Sequence, residues 1–235
     1  GMAACCKHFP GDGVEELDQH LVMGVNTFSC EEWDATFGKV YKTLIDDGIR
    51  SIMAGHIALP AYSRKLRPGI KDEDIMPATL APELLTDLLR GRLGYNGLIL
   101  TDASHMAGMT CAMPRSQQVP RAIAAGCDMF LFFNDIEEDF GYMMAGYKSG
   151  IITEERLNDA LMRILGLKAS LKLHEKKKNG TLISSKEALK VIGCEEHRKL
   201  AEKAADRSIT LVKDTKHVLP ISPKTHKRVC AFVIS

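Results

Sequence analysis

From residue 3 to about residue 150, short apolar runs alternate with segments whose apolar positions recur at helical spacing. The first run, residues 3–9, ends in the turn signal Pro10-Gly11-Asp12-Gly13. Ser29 and Glu32 then stand at capping-box spacing. Trp33, Phe37, Val40, Tyr41, Leu44 and Ile45 fall on one helical face, and Gly48 sits where a left-handed C-cap is wanted. A helix is therefore predicted from Ser29 to Gly48. Residues 49–56 read as a buried strand. Residues 81–92 read as a helix with Leu84, Leu85, Leu88 and Leu89 on one face, followed by Gly94. Residues 97–102 read as a third strand, polar only at its C-terminal end. A shorter helix at 119–125 leads through Gly126 into a fourth buried strand at 127–133, and helices at 136–148 and 153–171 follow.

Near-continuous apolar strands separated by helices imply parallel β/α units buried on both faces, an α/β fold. Four such units fit part of an open sheet or half of a barrel, since a complete eightfold barrel needs about 250 residues. Composition changes over residues 172–193, where a charged, turn-rich stretch reads as a linker. Beyond it come a helix at 195–208 and apolar runs at 209–212 and 229–234, the opening of a further α/β unit that stops before a core could close. Both ends read as cut.

The charge balance narrows the function classes. Lys+Arg 31 against Asp+Glu 30 gives a net charge of +1, which argues against nucleic acid or a membrane surface as partner. No run of about 18 apolar residues suggests a membrane span. The seven cysteines are odd in number and form no Cys-x-x-Cys, so they read as buried free thiols in a reducing compartment. With no secretory signal at the N-terminus, a cytoplasmic location is expected.

In parallel β/α folds reactive groups gather where strands end. Here the strand ends carry Lys7-His8, His56, Asp102 and Asn134. A lone acid in such a place is as readily the cap of the next element, so the residues alone give a polar site and little more.

The segment Lys7-His8-Phe9-Pro10-Gly11-Asp12-Gly13 resembles the KHFPG-x-G signature of family 3 glycosidases of the β-N-acetylhexosaminidase type. Later segments keep the family's order. Residues 51–57 resemble its sixth strand with a terminal His, residues 93–103 the stretch around its catalytic nucleophile, and residues 122–129 its approach to the eighth strand. Residues 204–213, with Leu219-Pro220, resemble the entry into the family's second α/β domain.

The resemblance implies a partial (β/α)8 barrel, its four C-terminal units in residues 1–171, a linker at 172–193, and an incomplete second domain at 194–235. It implies retaining glycoside cleavage, in which one carboxylate attacks the anomeric carbon and a second group protonates the leaving oxygen. Asp102 stands at the nucleophile's place and should sit among hydrogen-bond donors. In this branch the acid/base is a histidine on a mobile loop, paired with an aspartate two residues earlier, and Asp18-Gln19-His20 matches it. Lys7 and His8 match the sugar-binding pair. His56 either lines the pocket or holds a loop, and nothing assigns a role to His105. No metal or organic cofactor is required for this chemistry.

Asp12 departs from the pattern, because hexosaminidase-type members often carry His there, which bears on the N-acetyl preference. The family's other sugar-binding acid and arginine lie on earlier strands and match nothing here. An isolated half-barrel presents open sheet edges and an uncovered apolar face, so self-association into a homo-oligomer is expected. The alternatives are a β-glucosidase of the same family, phosphorolysis in place of hydrolysis, and an inactive fragment serving only as an assembly module.

Overall fold

The computed structural model describes residues 2–233. The chain divides into two units, one up to Asn179 and one from Gly180.

The first unit is built on a parallel three-stranded sheet in the order β1 (Cys5–Phe9), β3 (Ser51–Ala54), β5 (Leu98–Thr101). Two shorter strands, β2 (Gly24–Val25) and β4 (Ile57–Ala58), pair in parallel beside it. In the central strand Ile52 and Ala54 are wholly buried, as expected where helices cover a parallel sheet. β3 and β5 run in even register, Ser51 with Leu98 through Ala54 with Thr101. The β1–β3 ladder instead shifts between Cys6 and Phe9. Lys7 and His8 occupy that irregular stretch, and such a break in register re-aims the side chains it carries.

The helix predicted after Ser29 forms with its full capping box: the Ser29 hydroxyl accepts from Glu32 N–H at 3.2 Å, and Glu32 Oε2 accepts from Ser29 N–H at 2.9 Å. It runs as Cys30–Trp33, a π-helical segment Asp34–Gly38, and Lys39–Asp46, and ends at Gly48 with φ of +82°. Trp33 packs edge-on to Phe9 and Tyr62, and its indole N–H donates to the Pro10 carbonyl at 2.7 Å. The end of β1 is thereby locked to the helix. The 81–92 helix appears as Glu83–Arg92, wound in π form, with Leu84, Leu85, Leu88 and Leu89 wholly buried. Helices Ile136–Lys148 and Glu154–Ser170 lie where periodicity puts them, and the helix expected at 119–125 begins four residues earlier, as Arg115–Ala125.

Two expectations need correction. Residues 127–133 form no regular buried strand. The segment runs parallel to β5 through a bridge between Leu100 and Met129, but Met129, Phe132 and Phe133 are exposed, because no strand among the described residues covers its far side. Within residues 172–193, Leu173–Lys178 is helical and Ala188–Val191 forms a 3-10 turn. The thiols are all free, but only Cys30 and Cys127 are buried, while Cys5, Cys111 and Cys230 are exposed.

The second unit contains the predicted helix as Glu195–Ser208. The apolar runs at 209–212 and 229–234 form no strand among the described residues, and Ile234 lies outside them. Val212, Phe232 and Val233 stay exposed, since a strand needs a neighbour to satisfy its backbone groups. Among the described residues no helix is long and apolar enough to cross a membrane.

Candidate active site

Because β1, β3 and β5 are parallel, Lys7-His8, the Gly55-His56 turn and Asp102 all emerge at one edge of the sheet. A cleft of about 240 Å³ opens there, lined by Lys7, His8, Asp12, Gln19, His20 and Asp102 among others. Asp102 is anchored as β5 ends, its own N–H donating to the Ala54 carbonyl at 3.0 Å. Its Oδ1 accepts from Ala103 N–H at 2.7 Å, and its Oδ2 faces His8 Nε2 at 3.3 Å. The carboxylate is therefore flanked by the Ala103 amide on one oxygen and the His8 imidazole on the other. His8 is bracketed, for its Nδ1 faces Asp12 Oδ2 at 3.4 Å. The residue that departs from the family pattern thus serves as a second carboxylate against the histidine.

Asp18 and His20 lie in direct contact. Asp18 Oδ1 lies 2.7 Å from His20 Nδ1 and also accepts from the His20 backbone N–H at 2.9 Å. The backbone bond first, and then the imidazole, hold the Asp18 carboxyl below the usual carboxylate range. With Nδ1 engaged, Nε2 is the nitrogen available for proton transfer. Both side chains are open to solvent.

His56 stands apart from this group. It is wholly buried, with Nδ1 2.9 Å from the Thr79 hydroxyl and Nε2 3.0 Å from the Ala103 carbonyl. Both nitrogens are occupied by the scaffold, so the histidine ties the β3 turn to the chain just after Asp102. Burial pushes its pKa down. His105 packs near the Phe132 ring and does not line the cleft. Asn134 is exposed, and its N–H donates to Asp139.

Gln19 was passed over in the sequence. It is buried, its Nε2 donates to Asp12 Oδ2 at 2.8 Å, and its Oε1 accepts from His56 N–H at 3.0 Å. One partner is distant in sequence, and a lone glutamine between Asp18 and His20 carries no periodic or motif signal. Among the described residues no group of three or more His, Cys, Asp or Glu is disposed to hold a metal ion.

Residues 1–167 match the family described as glycosyl hydrolase family 3 N terminal domain. Over 232 residues the chain is 55% identical to a β-N-acetylglucosaminidase/β-glucosidase of Cellulomonas fimi, covering 99% of this chain and 40% of that protein. It is 36% identical over 138 residues to a β-hexosaminidase of Chromobacterium violaceum, 59% of this chain and 36% of that one. A solved structure described as β-glucoside phosphorylase BglX bound to 2FGlc superposes with a TM-score of 0.87 at 47% identity, over 94% of this chain and 39% of that one. The chain therefore spans about two-fifths of the length of these relatives.

Proposed function

Because this chain belongs to glycosyl hydrolase family 3, we propose that it supplies the C-terminal half of a (β/α)8 barrel and the catalytic groups for retaining hydrolysis of terminal β-N-acetylhexosaminides. Residues 172–193 then link that half to residues 194–235, the start of a second α/β domain. The observation that carries the reading is the convergence of Asp102, His8, Lys7 and the Asp18–His20 pair on one cleft.

In this reading Asp102 attacks the anomeric carbon through the oxygen facing His8, while the Ala103 amide holds the other. His20 Nε2 gives its proton to the departing oxygen and later takes one from the incoming water. Asp18 keeps the tautomer fixed and offsets the imidazolium charge. Lys7 and His8 donate hydrogen bonds to sugar hydroxyls. The chemistry needs no metal or organic cofactor.

A second reading is phosphorolysis, with phosphate replacing water in the second step. A histidine that has given up its proton is neutral, so it repels an incoming phosphate less than a carboxylate would. The name of the similar phosphorylase structure favours the same possibility, and that of the Cellulomonas relative keeps β-glucosides in view.

The test is turnover of p-nitrophenyl N-acetyl-β-glucosaminide and p-nitrophenyl β-glucoside, with and without inorganic phosphate, beside Asp102→Asn. We expect activity that falls by about a thousandfold or more in the variant, with the N-acetylated substrate preferred. A sugar 1-phosphate product would select phosphorolysis. Activity that survives Asp102→Asn would remove Asp102 from the nucleophile's role. No turnover of either substrate would mark the isolated chain as an inactive assembly module.

A further inference from the structure

The loop of residues 14–23 carries His20, yet it has almost no apolar anchor. Leu17, Leu21 and Val22 are exposed, and Gln19 is the single buried residue between positions 14 and 23. What fixes such a loop is its polar tethers, since burial contributes little. Two are backbone bonds to the segment after Asp102: Ala107 N–H donates to the His20 carbonyl at 3.1 Å, and Gly108 N–H donates to the Gln19 carbonyl at 3.0 Å. At the base of the loop Glu15 Oε1 accepts from Val25 N–H. Nearest His20 are the two ends of the Gln19 side chain, on Asp12 and on the His56 amide. Asp12 Oδ2 in turn faces His8, which faces Asp102.

We propose that Gln19 is a positioning residue, a latch that seats the His20 loop on the sheet edge and couples it through Asp12 to His8. The amide suits this place because it presents a donor to a carboxylate and an acceptor to a backbone N–H at once. A carboxylate here would repel Asp12, and an apolar residue would leave the buried His56 N–H unpaired. The kinetic part of the idea rests on His20 being the acid/base, but the loop's anchoring does not.

Hydrogen–deuterium exchange on the full 235-residue chain tests the anchoring. In Gln19→Met and Gln19→Glu, amides of residues 18–23 are expected to exchange about tenfold faster while those of β3 keep their protection. Combining Gln19→Glu with Asp12→Asn reverses donor and acceptor and should restore much of the loop protection. Unchanged loop exchange in Gln19→Met, or equal acceleration in the loop and β3, would overturn the latch whether or not the chain is active.

The kinetic arm compares an aryl leaving group acidic enough to depart without a proton with an alkyl one that needs it. Gln19→Met should slow the alkyl glycoside about tenfold more than the aryl one. If His20→Ala shows that selectivity and Gln19→Met does not, positioning by Gln19 is refuted. If neither variant shows it, the acid/base reading of His20 fails while the exchange result still decides the latch.

Discussion

His8 and His56 leave the same edge of the sheet, but their surroundings give them different work. His8 stands in the cleft between two carboxylates, while His56 is buried with both ring nitrogens held by Thr79 and Ala103. Burial lowers the His56 pKa, so the folded chain excludes a proton that the unfolded chain binds below about pH 6.5. The unfolded state then carries more protons, and stability must fall as pH drops through that range. The melting temperature is expected to decline from pH 7 to pH 5, and His56→Gln should flatten that slope while costing about 1–3 kcal/mol at pH 7. An equal slope in both proteins would show that other groups set the acid sensitivity. The sequence left His56 open between lining the pocket and holding a loop, because its partners lie 23 and 47 positions away. Asp12 was legible as a departure from the family pattern, but its contacts with His8 and Gln19 were not.

Among the elements, local signals held wherever the deciding interaction was itself local. The Ser29–Glu32 box was read from spacing and forms with both bonds. Ser29→Ala should lower stability by about 1 kcal/mol, seen as a lower denaturation midpoint with an unchanged slope, whereas an unchanged midpoint would mean the box contributes nothing. The apolar run at 127–133 shows the opposite case. Its composition is that of a buried strand, but burial requires a neighbour on each side, and among the described residues the segment has β5 on one side alone. Gly108 marks a further element-level constraint invisible in the sequence. A Cβ there would come within 2.8 Å of His56 Cβ and 3.0 Å of the Gln19 carbonyl, so the His20 loop can lie this close only against glycine.

For the molecule as a whole, the helix Ile136–Lys148 exposes Ile136, Phe140, Met144 and Tyr147. These positions share one helical face, and the exposed Phe132 and Phe133 precede them. In water an apolar face of this kind favours association. The 235-residue chain by itself is expected to sediment as a dimer or larger species, and Phe140→Glu should shift it toward monomer. A monomeric wild-type chain would refute self-association through this face.

The sequence by itself determined most of the alternation of strands and helices, the Ser29 cap, and the polar groups that stand where strands end, because each depends on residue type at short spacing. Tertiary structure alone decided which of those groups share a cleft, that His56 is sequestered from it, and that Gln19 and Asp12 join the His20 loop to His8. Those outcomes turn on how parallel strands bring distant segments to one edge. Hydrogen bonds across such distances are fixed by packing, and no periodicity in the chain records them.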